Sequence, residues 1–556
     1  MKRAFATRIV VAGLAVALVG AACSSGDDDD DAAGGDDDDT TETTVAAEEG
    51  EPVDGGEISY GIEAESDGLN PTANRFAVSG SLMGTAIFDT LAKFDTEGIA
   101  QPYLAESLTP SDDFMHWTIK LRAGVVFHDG TPLTSEAIQV GVEGQLADPL
   151  ISIAVRPVLD EAEPVTIVDD LTATINTSRP LPYFPNYMTT QLGMIASPTW
   201  IQAAAADTSL NQEPVGTGPF MIDSRQLNIQ TAVVKNPNYW QAGLPHLDAI
   251  TFVVSTDPQA RAQSFTAGDL DMIHTTSDES VVEFRENDDI QLFEDELGEE
   301  TFVMLNTSKP PFDDIRARQV IARATDREQM IDLLGSGILT IANSMFHPEN
   351  RWYTPIDNFP AYDIAEAAAI AAAYCADVPD QCDGEKIKFE YKTTPNVDND
   401  LIFQALSEMW GDVVTVTKVP VEQAAFITEA AVGNYNAVLW RQFGATDPDS
   451  DMLWLDSESI GAISVNWPRI DDPEIDGWLD EQRIGTDFEA RRALWAQINE
   501  KLNEDLVYIW LNHTLWAVAA QDNIHGLQGQ MFPDVEGEVE PFSNGRNEFV
   551  SMWVDG

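Results

Sequence analysis

Positive charge is scarce in this chain: 30 Lys and Arg stand against 94 Asp and Glu, for a formal net charge of −64. Holding nucleic acid or an anionic membrane by charge needs a basic face, so partners of that kind are excluded. Cysteine is nearly absent, with three in 556 residues. Cys375 and Cys382 have no histidine near them, and their C-x₆-C spacing is not that of a zinc site. The seven histidines stand in unrelated contexts, none in an H-E-x-x-H, and no G-x-S-x-G elbow occurs. Without these signatures the expectation is a non-enzyme with no catalytic residue, no metal and no cofactor. A second long apolar run is also missing after Ile9–Val19, so nothing downstream predicts a membrane span.

The residues that are present describe an exported globular protein. Hydrophobic residues make up 44% and aromatic ones 9%, enough for a core, and the length predicts two or three lobes. Lys2, Arg3 and Arg8 precede the short apolar run Ile9–Val19, which together read as an export signal. It ends in Gly20-Ala21-Ala22-Cys23, similar to a bacterial lipoprotein cleavage site with Gly20 in place of the usual Leu, so Cys23 is the expected lipidation point. Residues 24–54 contain no aromatic side chain, and their aspartate runs repel one another, which predicts a disordered acidic tether. In an exported protein, Cys375 and Cys382, seven positions apart, are expected to form a disulfide.

The stretch WTIKLRAGVVFHDGTPLTSEAI, Trp117 to Ile138, reads as a strand, a turn at Asp129-Gly130 and a helix opened near Thr134. Glu57–Gly61 is a short strand before the loop Gly68-Leu69-Asn70-Pro71. VTIVDDLTATIN reads as two paired strands. The Gly-x-Gly of Gly216-Thr217-Gly218 runs straight into Pro219 and lacks the third glycine of a dinucleotide fingerprint. From Phe302 onward strands and helices alternate as in a mixed α/β lobe. VYIWLNHTLWAVA supplies a closing strand, and Thr486 to Glu489 reads as a capping box.

LRAGVVFHDGTPLTSEAI resembles the signature of family 5 extracytoplasmic solute-binding proteins, with Ala137 where an acid is usual. GTAIFDTLAKFD and IAQPYLAESL before it, then GTGP, the VVKNPNYW block and RQVIARATDRE after it, match further family blocks in order. The resemblance implies an α/β, two-lobe periplasmic-binding-protein-like fold (type II, cluster C) with an inserted subdomain. The expected division is 1–23 signal, 24–54 tether, 55–88 with 214–300 and 525–556 as lobe I, 89–213 as the insertion, and 301–524 as lobe III. It also implies a lipid-anchored monomer on the outer face of the cytoplasmic membrane. Such a receptor hands a small solute, peptide first among the candidates, to ABC permease subunits and their ATPases. The alternatives are a nickel-chelate, sugar or opine receptor of the same fold, a secreted hydrolase, or an acidic structural protein of the envelope.

For the ligand, the resemblance points to YNAVLWRQFGATDPDSD. Peptide-binding relatives hold the ligand's amine with an aspartate just before an Asp-Pro pair, and Gly444 stands at that place here. Either Asp447 takes the role after a loop shift, or the ligand lacks a free ammonium and Gly444 lets it approach the backbone. Trp440, Arg441 and Phe443 suit a stacked ring or a carboxylate, although Trp440 fits the buried end of a strand equally well. Asn70 completes the expected ligand-binding set. Asp447, Asp449, Asp451 and Glu458 have EF-hand spacing, but Met452 occupies the position of the turn glycine.

Overall fold

The computed structural model describes residues 50–334 and 337–555. The signal, Cys23 and nearly all of the expected tether lie outside them. Among the described residues no helix is long and apolar enough to cross a membrane.

Two large sheets organise the molecule. The first has seven strands in the order Ile290–Asp295, Trp516–Gln521, Met272–Thr275, Glu57–Ile62, Ala249–Val254, Gln230–Lys235 and Phe220–Gln226. Its strand Glu57–Ile62 is parallel to both neighbours. Ile58, Tyr60 and Ile62, at alternate positions, all face the core. The second sheet places Lys386–Thr393, Ala437–Gln442, Glu300–Leu305 and Tyr508–His513 side by side, with Val414–Pro420 on the outer side of Lys386–Thr393. Lys386–Thr393 pairs parallel with Val414–Pro420 and with Ala437–Gln442. Parallel pairing demands crossovers, and the helices Val397–Trp410 and Gln423–Ala431 provide them.

The chain passes from one sheet to the other and back through two short crossings, residues 296–299 and 514–515. They are fastened to each other. The Thr514 N–H donates to the Glu299 carbonyl at 2.8 Å, and the Thr301 and Thr514 hydroxyls lie 2.9 Å apart. Two sequence expectations are corrected here. VYIWLNHTLWAVA is two strands, Tyr508–His513 and Trp516–Gln521, one in each sheet. The strand Trp516–Gln521 therefore belongs with lobe I, and the boundary expected at 524 moves back to the crossing. Both strands are buried, so the apolar run does not betray the break between them.

A four-stranded sheet, Ala105–Pro110, His116–Leu121, Thr172–Asn176 and Val165–Asp169, forms the inserted subdomain. The signature stretch lies here and docks on the Gly216–Gly218 segment. The Gly216 N–H donates to His128 Nδ1 at 3.2 Å, and His128 Nε2 meets the Gly218 carbonyl at 3.0 Å. A Cβ on Gly216 would stand 2.2 Å from the Ile87 carbonyl oxygen, and one on Gly218 2.5 Å from the Ile87 carbonyl group. These glycines serve close backbone packing. The helix of the signature is Glu136–Ala147, and Ser135, not Thr134, precedes it. Likewise Asp487, not Thr486, caps the helix Phe488–Asp505, accepting from the Ala490 N–H at 2.8 Å.

Cys375 and Cys382 are disulfide-bonded, closing a loop at a sequence separation of 7. So short a loop limits the entropy removed from the unfolded chain. Replacing both cysteines by alanine is expected to cost about 2.5 kcal/mol, read as a lowered urea midpoint. The same shift should appear on reduction of the parent protein.

Candidate functional site

The space between the two sheets, walled at the back by the crossings, is where side chains from both lobes meet. Arg441 comes from the strand Ala437–Gln442 of the second sheet, and its guanidinium reaches the first. Nη2 donates to Glu63 at 3.2 Å, Nη1 donates to the Thr276 hydroxyl at 3.3 Å, and the group lies 4.9 Å from the Trp516 ring centre. Its Nε is 4.0 Å from Glu299, which also accepts from the Trp516 indole N–H at 2.9 Å. Glu63 follows the central strand of the first sheet directly and is held by its own backbone, which donates to His274 Nε2 at 3.0 Å. Since Nε2 accepts, Nδ1 carries the proton and donates to the Gly545 carbonyl at 2.9 Å. Burial pushes the His274 imidazole down to about 4, so it is neutral.

Acids dominate this wall. Burial works to raise the Glu63 carboxyl, but the Arg441 and Arg261 guanidiniums hold it below its ordinary value. Glu299 is raised by burial, against the opposing pull of Arg441. Asp278 lies on the first-sheet side and is pushed up to about 7 by burial and by repulsion from Asp398 and Glu296. Asp398, in the first turn of the helix Val397–Trp410, is raised by burial, with Arg261 and Arg441 opposing. Arg261 is 2% exposed, and its guanidinium donates to the carbonyls of His274 and Ser255. At the root of the hinge, Glu300 Oε1 meets His513 Nδ1 at 3.0 Å. Burial raises the Glu300 carboxyl well above normal and lowers the His513 imidazole to about 3, making a neutral pair.

Of the ligand-binding residues expected from the sequence, Arg441 is the one that reaches across this space. Trp440 points to the other face of its strand, stacked 5.4 Å from Phe426 and edge-on to Trp467 at 4.6 Å. Phe443 is corrected from ligand contact to core: it is buried, with φ +76°, against Phe302, Tyr508 and Trp510. Gly444 faces the chain itself, because a Cβ there would stand 2.2 Å from the Gly298 carbonyl oxygen and 2.5 Å from Asn544 Nδ2. Asp447 is not an amine anchor, since both its oxygens are held by Arg491 at 2.6 and 2.8 Å. Asn70 is buried in its own loop. Its amide donates to Asn211 at 2.9 Å, and its oxygen accepts from the Thr72 N–H and hydroxyl.

The EF-hand spacing dissolves for the same reason. Asp449 accepts from Tyr187 and Gln482 at 2.9 and 2.7 Å, and Asp451 accepts from the Ala445 N–H at 3.1 Å. No group of three metal-ligating side chains occurs among the described residues. Burial pushes Asp451 up to about 7 despite the Ala445 hydrogen bond, with Asp447 and Glu299 adding repulsion. The native state therefore keeps a proton that the unfolded chain releases near pH 4, and stability falls as pH rises from about 4 to 7, by at most about 1.4 kcal/mol per unit. Asp451→Asn keeps an acceptor oxygen and carries no titratable proton. It is expected to remove that slope and to exceed the parent at pH 8, which urea midpoints at pH 5 and 8 would reveal.

Glu63, Thr276, Glu299, Asp398 and Trp516 were not legible as a group. The carboxylates stand among 94 acids, and only the fold distinguishes them.

Two α/β lobes joined by a paired crossing, with charged side chains facing each other between them, define a two-lobe binding protein. The chain belongs to the bacterial extracellular solute-binding proteins, family 5, whose profile matches residues 100–462. It is 24% identical over 462 residues to the nickel-binding periplasmic protein of Escherichia coli K12, covering 79% of this chain and 86% of that one. It is 26% identical over 282 residues to the glutathione-binding protein GsiB of Shigella flexneri, 51% of this chain and 54% of the relative. Among solved structures, DppA of Helicobacter pylori with the peptide STSA superposes at TM-score 0.78 and 19% identity, over 91% of this chain and 99% of that one. AgaA of A. tumefaciens R10 with agropinic acid gives TM-score 0.77 and 21% identity, over 90% and 99%. These superpositions establish a shared fold.

Proposed function

We propose that this chain is the lipid-anchored receptor of an ABC importer, capturing peptides or similar small solutes between its lobes and delivering them to the permease subunits. The observation that carries this reading is Arg441 bound to Glu63 and Thr276 across two lobes between which the chain passes in two short crossings. A solute seated between the sheets contacts both walls, so its binding energy favours the closed form, which the membrane partner recognises. Binding is followed by release, not turnover. Cys23 supplies the anchor, and the acidic stretch 24–54 holds the folded part away from the bilayer. The receptor works as a monomer outside the cytoplasmic membrane. Native mass spectrometry of the purified full-length chain tests the reading: a small solute should be carried non-covalently and leave unchanged on denaturation. Chemical conversion of a bound solute would sink it.

A further inference from the structure

The first lobe presents a complete receptor for a cation, and the occupant in this structure belongs to the protein. Glu63, Glu299, the Thr276 hydroxyl and the face of Trp516 surround one guanidinium, that of Arg441, which enters from the opposite lobe. Glu299, Trp516 and the Glu63 backbone are held by contacts other than Arg441. The Glu63 backbone is tied to His274, Glu299 is tied to the Trp516 indole, and Trp516 is a strand residue of the first sheet packed 5.5 Å from the His274 ring. Two carboxylates, a hydroxyl and an indole face are the groups that recognise a guanidinium or ammonium. Two carboxylates repel a carboxylate or phosphate, and the Thr276 hydroxyl alone could donate to one.

Arg441 is the movable part. It is attached to the second lobe, so when the lobes part it leaves with that lobe and the cage opens. The cations remaining nearby are poor substitutes. Arg261 is engaged by the carbonyls of Ser255 and His274 and reaches Glu63 only through its field, and Arg546, whose Nε donates to the Ser543 carbonyl at 3.2 Å, likewise acts on Glu299 through its field. Asp398 arrives from the second lobe close enough to Glu63 and Arg441 to interact with both. Its charge adds to the demand for a cation between the lobes.

Resting on the receptor reading above, we infer that Glu63, Glu299, Thr276 and Trp516 form the subsite for a guanidinium or ammonium group of the transported solute, and that Arg441 competes for that subsite as a built-in mimic of the ligand. The absent aspartate at Gly444 then has a replacement on the opposite wall, and the solute is cationic. Arg441 also supplies the nearest positive charge to the two carboxylates when no solute is bound.

The test is calorimetric titration of the full-length chain in detergent with agmatine, glutarate and sucrose, repeated on Glu63→Gln and Arg441→Gln. Agmatine should bind and the other two should not. Glu63→Gln, which keeps an acceptor oxygen but removes the charge from a hydrogen bond to a cation, should weaken agmatine at least about tenfold, whereas Arg441→Gln should strengthen it. The opposite signs separate a competitor from a structural residue, because mere damage to the fold weakens binding in both variants. Agmatine that binds no better than glutarate or sucrose, or that weakens in Arg441→Gln, overturns the cation subsite and leaves the receptor reading standing. Conversion of any of the three compounds to product overturns both.

Discussion

Gly444→Asp is expected to lower the stability of the protein by about 3 kcal/mol or more, not to restore an amine-binding site. The substitution introduces the acid that the family resemblance leads one to expect at this place, yet the space is already filled by protein. A Cβ at Gly444 would stand 2.2 Å from the Gly298 carbonyl oxygen, and Gly298 lies in the first crossing between the sheets. On the other side Asn544 donates to the Gly444 carbonyl at 3.0 Å. Phe443, just before it, has φ +76° and is locked among Phe302, Tyr508 and Trp510, so the segment cannot rotate away without exposing a buried ring. Gly444→Ala tests the same geometry without adding charge and should show most of the loss. A urea titration reads both variants, and a parent-like midpoint for Gly444→Asp would show that the loop has room to move.

Arg491→Ala is expected to cost about 3–5 kcal/mol, the usual penalty for leaving one charge of a buried pair uncompensated. The guanidinium donates to both oxygens of Asp447, at 2.6 and 2.8 Å, and to the Gln482 side chain at 3.1 Å. It also lies 3.7 Å from the Tyr183 ring centre and 4.8 Å from that of Trp352. Tyr183 belongs to the inserted subdomain, whereas Asp447 and Trp352 belong to the second lobe, so this one side chain fastens the two. Removing both charges in Asp447→Ala/Arg491→Ala should recover part of the loss. Arg491→Lys keeps the charge without the bidentate geometry and should fall between. If the double variant were no more stable than Arg491→Ala, the ring contacts and not the ion pair would carry the energy.

Family and local structure were largely written in the chain. The blocks around Trp117–Ile138 occur in the family's order, and the profile match over residues 100–462 agrees with them. Asp129-Gly130 reads as a turn, and Gly130 has φ +80°. The site was far less legible. The segment Trp440–Asp447 drew attention because it departs from the expected pattern, but its residues divide among the core, an ion pair within the second lobe and a single cross-cleft contact. Sequence periodicity distinguishes the two faces of a strand, which separates Trp440 from Arg441, but it does not say which face looks across to another lobe. The run from Tyr508 to Gln521 concealed the second crossing because strands buried on both faces have no alternation to mark a break.

The order of its sequence blocks was enough by itself to place the chain among the α/β solute-binding proteins of family 5. These are properties of adjacent residues, set by propensity, patterning and charge. Which side chains face each other between the lobes was decided only by the tertiary structure. Glu63 and Arg441 are 378 positions apart, and they meet because two short crossings fold one sheet back over the other. Short-range hydrogen bonds and ring contacts depend on separations of a few ångströms, and only the packed lobes set those distances.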